Sequence, residues 1–103
     1  MISSIKSLFG LVKTDFAQLV KDGAIILDVR SINEYQGGHI KGSINIPVDQ
    51  LRNDIDKLKD KTKPIITCCA SGMRSASAKS ILQSHGFSQV HNGGGWNRLQ
   101  HKI

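Results

Sequence analysis

The chain has 103 residues, two cysteines and a formal net charge of +6 at neutral pH. That length supports one domain, 1–103, that buries roughly two-thirds of its unfolded surface. Cysteines adjacent at 68 and 69 cannot build a disulfide framework, which argues against a stapled secreted fold and for a reducing compartment. Nor does the charge read as nucleic-acid binding. Lys57, Lys59, Lys61 and Lys63 interleave with Asp54, Asp56 and Asp60, and aromatic residues that could stack on bases are scarce. A basic surface that draws small anions is the more economical account.

In chain order, the first apolar run, Leu8 to Val12, is interrupted by Gly10 and closed by Lys13. It is shorter than the ~7–15 residues of a signal-peptide core and the ~20 that span a bilayer. A cytoplasmic protein without a membrane partner is expected. Thr14 is placed to cap a helix over 15–21, with Phe16, Leu19 and Val20 on one side and Gly23 as its stop. The nearly continuous apolar run 24–29 reads as a parallel strand covered on both faces. Ser31 and Glu34 have capping-box spacing for a short helix ended by Gly37-Gly38.

Residues 43–46 before Pro47 read as a short strand, and 49–59 as a helix whose apolar face is Leu51, Ile55 and Leu58. A β-branched strand, Ile65-Ile66-Thr67, ends in Cys68, and a helix is expected over 75–82. Gly86 closes that helix, 89–91 forms a last strand, and Gly93-Gly94-Gly95 leads into a terminal helix carrying Trp96 and Leu99. Strands alternating with helices imply an α/β fold with a mostly parallel sheet, whose ligands bind beyond the carboxyl ends of the strands.

The segment Cys69-Ala70-Ser71-Gly72-Met73-Arg74-Ser75 lies at such an end, against a helix N-terminus. Unpaired amides and the macrodipole there favour negative charge, and Arg74 adds a permanent cation. A thiol in that field is more acidic than usual and correspondingly nucleophilic. Gly72 permits the tight backbone such a loop needs. Cys68 reads as a packed strand-end residue; the alternative is that it resolves an oxidised Cys69, against which stands the opposite facing of adjacent strand residues. Asp28 and Arg30 end the buried strand near the same edge, either shaping the pocket's charge or forming a structural ion pair. His39 reads as a hydrogen-bonded turn residue rather than a base, and His85 and His91 as surface or turn residues.

Several segments together resemble the rhodanese, or thiosulfate sulfurtransferase, family in its small single-domain form. They are Asp28-Val29-Arg30 with Glu34-Tyr35, the run from Gly38 to Pro47, the loop from Cys69 to Ser75, and Gly94-Gly95-Trp96, in family order from about 23 to 96. The resemblance implies a three-layer fold around a mostly parallel sheet of about five strands. It makes Cys69 the sulfur carrier, loaded as a persulfide from a small anionic donor such as thiosulfate and unloaded to cyanide, a thiol or a sulfur-accepting protein. The backbone of Ala70, Ser71, Gly72, Met73 and Arg74 would cradle the anion, the Arg74 side chain would help close the cradle, and Ser75 would support it. No metal or organic cofactor is implied. Two alternatives stay open: a sulfur-relay or anion-binding module that works only with a partner protein, and a cysteine phosphatase using Cys68, from which the spacing to Arg74 is one residue longer. Ala70 and Met73 make the loop less cationic than in many family members, so a persulfide donor fits as well as thiosulfate.

Overall fold

The computed structural model describes residues 13–103; the apolar run 8–12 lies outside them. Helix α1, Phe16–Lys21, leads into β1, Ile25–Asp28, and α2, Ile32–Gln36, precedes β2, Ile44–Asn45. Two 3₁₀ turns, Val48–Gln50 and Ile55–Lys57, bring the chain to β3, Ile65–Cys69. Helix α3, Met73–Ser84, then β4, Val90–Gly95, and α4, Trp96–Gln100, complete the described chain.

The four strands form one parallel sheet in the order β2-β1-β3-β4. The expected fold class holds, with four strands among the described residues in place of about five. The four correspond to the four runs read as strands; the fifth came from resemblance alone. Side-chain alternation splits the core in two. Leu27, Ile65 and Cys69 face Ala78, Ile81 and Leu82 of α3, while Ile26, Ile66 and Cys68 face Leu99 of α4 and Phe16, Leu19 and Val20 of α1. Helices therefore cover both faces, and β1 and β3 can be apolar throughout.

Three local expectations are corrected. The cap of α1 is Asp15, whose carboxylate accepts from the Gln18 amide at 3.0 Å, rather than Thr14. The helix expected over 49–59 is replaced by the two 3₁₀ turns. Asp49, Asn53, Asp54 and Asp56 have low helix propensity, while burial of Leu51 and Leu58 still ties the segment to the core. The glycines at 93–95 belong to β4 rather than to a lead-in.

Gly93 shows why a strand can be rich in glycine. A Cβ there would lie 2.8 Å from both Ile66 Cγ2 and Leu99 Cδ2 and 2.9 Å from the Thr67 carbonyl oxygen. Since the carbonyl belongs to the adjacent strand and cannot yield, Gly93→Ala is expected to cost about 1–3 kcal/mol of stability by overpacking. Chemical denaturation would show it as a lowered midpoint; an unchanged midpoint would mean that the β3–β4 edge gives way around the added methyl.

Candidate functional site

The register between β3 and β4 slips between Thr67 and Cys69, where Cys69 pairs with Gly95. This irregularity carries Cys69 to the sheet's carboxyl edge as the last residue of β3, so the strand runs one residue further than its sequence indicates. The chain then turns back tightly enough that Gly72, with φ +114°, becomes the N-cap of α3. That backbone conformation suits glycine and strains other residues. Helix α3 accordingly starts at Met73, two residues earlier than expected.

The turn closes around one sulfur atom. The Gly72 amide donates to Cys69 Sγ at 2.9 Å and the Ser75 amide at 3.3 Å, with Ser75 Oγ 3.4 Å away. Burial of Cys69 raises its pKa, but the Ser75 hydroxyl and the amides of Ser75, Gly72 and Ser71 together outweigh it, leaving the thiol below its ordinary value. Donors already fixed around the sulfur stabilise any negative charge that collects there.

Cys68 has the opposite environment. Its side chain is fully buried among Ile26, Ile66 and Leu99 on the other face. Burial, reinforced by the Asp28 carboxylate, pushes its thiol up to about 12. A pH titration followed by thiolate absorbance is therefore expected to show one thiol ionising below the usual cysteine value and none other until far above neutrality. Cys69→Ser should remove the early step; its survival in that variant would reverse the assignment of the two environments.

Ser75 is completely buried and is held by more than the loop. Its Oγ lies 2.7 Å from Asn92 Oδ1 and 3.0 Å from the Gly72 carbonyl. Asn92 is oriented in turn: the Gly94 amide donates to its Oδ1 at 2.9 Å, and its Nδ2 donates to the Gly72 carbonyl at 3.3 Å. Thr67 Oγ1 donates to the Ser75 carbonyl at 2.9 Å, tying the first turn of α3 to β3. The Ser75 hydroxyl can thus donate to Asn92 while Cys69 is a thiol and turn to the sulfur when Cys69 is a thiolate, without leaving a buried group unpaired.

The rhodanese-like domain family matches residues 12–102. The chain belongs to the rhodanese-like family. It is 37% identical over 70 residues to the thiosulfate sulfurtransferase PspE of Escherichia coli (strain K12), covering 67% of each chain. With the tRNA uridine(34) hydroxylase of Hamiltonella defensa it shares 36% identity over 81 residues, 73% of this chain but 23% of that protein. Among solved structures, a rhodanese with anions from E. coli superposes with a TM-score of 0.68 at 34% identity, covering 73% of this chain and 89% of that one. The chain spans no more than about two-thirds of the length of these two curated relatives.

Within this rhodanese-like framework, two side chains that the sequence did not single out as site residues complete the loop's support. Glu34, expected only as a capping residue, does fill the capping box with Ser31. It also grips Arg74 with both oxygens, at 2.7 Å to Nη1 and 2.9 Å to Nη2. Arg74, first among the causes, and the Ser31 backbone hold the Glu34 carboxyl down at about 2. The Arg74 side chain, expected to help close the cradle, clamps the loop to α2. The other residue is Asn92, for which an isolated Asn-Gly pair offered no signal. The acidic match to Arg74 was legible only as a charge, since 40 residues separate the two in sequence.

Asp28 and Arg30 follow the structural alternative. Arg30 donates to both Asp28 oxygens and, at 2.7 Å, to the Gly38 carbonyl, and its guanidinium lies 4.6 Å from the Trp96 ring centroid. The pair locks the β1 terminus, the α2 exit and α4 together beneath the loop. His39 stacks on Tyr35 at 3.7 Å and bonds the Tyr35 carbonyl through Nδ1, the arrangement of a turn residue. His85 bonds the Ile81 carbonyl at the end of α3. Ser71 and Met73 are exposed and Ala70 contributes no charge, leaving the loop's backbone as its principal source of donors. Among the described residues no group of three or more His, Cys, Asp or Glu side chains is arranged to hold a metal ion, and no helix is long and apolar enough to cross a membrane.

Proposed function

We propose that the protein is a sulfurtransferase that carries sulfane sulfur as a persulfide on Cys69. The observation that carries this reading is the convergence of the Gly72 and Ser75 amides on Cys69 Sγ. With thiosulfate, the Cys69 thiolate attacks the outer sulfur, the S–S bond of the donor breaks, and sulfite leaves with the electron pair. The persulfide anion left on Cys69 sits among the same donors. An acceptor thiolate or cyanide then takes the outer sulfur and returns the electron pair to Cys69.

The test is the intact mass before and after thiosulfate or a small-molecule persulfide. A gain of one sulfur atom, reversed by cyanide with release of thiocyanate, is the expected result; no gain with either donor would sink the proposal. Hydrolysis of an aryl phosphate dependent on Cys68 would instead favour the phosphatase alternative, although the loop's amides surround Cys69 and Cys68 is packed in the opposite layer. One observation favours a relay reading as well. Met73 is 81% exposed on the loop, an apolar contact for a partner protein. Fast transfer to a carrier protein with negligible transfer to small thiols would mark that variant of the chemistry.

A further inference from the structure

Two residues hold the sulfur of Cys69 by their amides, Gly72 at 2.9 Å and Ser75 at 3.3 Å. The Asn92 side chain grips the same two residues, and it does so from β4, outside the loop. Its Oδ1 accepts from the Ser75 hydroxyl at 2.7 Å and its Nδ2 donates to the Gly72 carbonyl at 3.3 Å. The Gly94 amide also donates to Oδ1, and since only the oxygen of a side-chain amide can accept, the orientation of Asn92 is fixed. Its footing is firm. Asn92 pairs with Thr67 on the ladder just before the register slips. Thr67 Oγ1 donates to the Ser75 carbonyl at 2.9 Å, so both members of that rung hold Ser75.

The Ser75 hydroxyl has one proton and three acceptors within reach: Asn92 Oδ1 at 2.7 Å, the Gly72 carbonyl at 3.0 Å and Cys69 Sγ at 3.4 Å. The carbonyl has two lone pairs, and the Ala76 amide at 3.1 Å and Asn92 Nδ2 fill both. Asn92 thereby keeps the proton from settling on the Gly72 carbonyl, the local bond that a serine three residues on otherwise makes. When the hydroxyl turns to a Cys69 thiolate, Asn92 Oδ1 still has the Gly94 amide. Without Asn92 the proton passes to the vacated lone pair of Gly72, and the Gly72 peptide loses its hold from β4.

We propose that Asn92 is a positioning residue for sulfur loading, which by holding Gly72 and Ser75 together fixes the donors that face Cys69 Sγ. It reaches the sulfur only through those donors. The thiolate is the species that attacks a sulfur donor, and the better the hydrogen-bond donors are held, the larger its share at a given pH. The ionisable groups around the sulfur lie elsewhere. They are Arg74 on α3, bound to Glu34 of α2; Cys68, with Asp28 and Arg30, in the opposite layer; and His91 on β4, with Lys79 of α3 acting on it. Asn92→Ala changes none of them.

The inference rests on the sulfurtransferase reading, and its test separates the two. The natural protein is given excess thiosulfate and its mass gain followed in time across pH, with the thiolate titrated by absorbance in parallel. No loading at any pH sinks the sulfurtransferase reading and this inference with it. In Asn92→Ala, loading is expected to go to completion and to reach the natural rate at alkaline pH, but to run about tenfold slower on the acid limb, the scale of weakening one hydrogen bond to a charged group. The Cys69 titration should move to higher pH to match. Recovery at alkaline pH is a result that a damaged fold cannot imitate. Should the alanine variant not fold, Asn92→Asp keeps the shape, sets an oxygen against the Gly72 carbonyl in place of a donor, and should displace the profile in the same direction even in high salt, which screens an exposed charge. Ser75→Ala tests the route: joined to Asn92→Ala it should displace the profile by less than the sum of the two single changes. A loss of rate that is uniform across pH in Asn92→Ala, an undisplaced titration, or strict additivity with Ser75→Ala would overturn the inference.

Discussion

Cys69→Ser is expected to abolish sulfur loading and to lower transfer by on the order of 10⁴-fold or more, the scale of losing a covalent nucleophile. A serine hydroxyl in the same cradle remains protonated at neutral pH and cannot hold a persulfide. Cys68 provides the comparison. It packs with Ile26, Ile66 and Leu99, so Cys68→Ser would bury a hydroxyl in an apolar cluster and cost about 1–3 kcal/mol if it finds no partner. Cys68→Ala tests the chemistry with less disturbance and should load sulfur as the natural protein does. Intact mass of the three proteins after thiosulfate decides the matter: a persulfide that persists in Cys69→Ser, or disappears in Cys68→Ala, would place the sulfur on the wrong residue.

Arg74→Ala is expected to slow sulfur loading by about 10²-fold, the scale on which a displacement of about 1 Å in a reacting group acts, with a smaller change in overall stability. The Glu34–Arg74 pair is 38% exposed on each side, so its direct worth to folding is modest, about 1 kcal/mol or less. Its larger consequence is position: the two bonds fix the first turn of α3, from which the Ser75 amide reaches Cys69. Arg74→Lys keeps the charge without the bidentate fork and should fall between the two. Glu34→Gln supplies a pH test. A carboxyl depressed to about 2 in the folded state stabilises that state fully above its unfolded value and loses this as pH falls through the folded one. The stability difference between natural protein and Glu34→Gln should therefore be full above about pH 5 and close as pH approaches 2, given an unfolded value near 4.3. A gap independent of pH would mean that neither Arg74 nor the Ser31 amide holds the Glu34 carboxylate in the folded state.

What could be read from the chain was whatever depends on neighbours a few residues apart. The Ser31–Glu34 capping box is such a feature, as is the opposite facing of Cys68 and Cys69 along a strand. The helix expected over 49–59 misled because Leu51, Ile55 and Leu58 have helical spacing whether the segment is one helix or two 3₁₀ turns against the same core. Asn92 had no local signature at all: its importance lies in reaching Ser75, 17 residues earlier, across the β3–β4 edge.

By itself, the sequence determined the alternating α/β order, the small-residue loop after an apolar strand, and which cysteine opens that loop at a helix start. Those follow from backbone propensity, side-chain periodicity and the field at a helix start. Only the tertiary structure decided that Arg74 clamps the loop through Glu34 and that Asn92 backs Ser75. The physical reason is the strand order β2-β1-β3-β4. With β1 and β4 flanking β3, α2 and the β4–α4 junction come to the same sheet edge as the Cys69 loop. Contacts made that way join residues that no short-range rule relates.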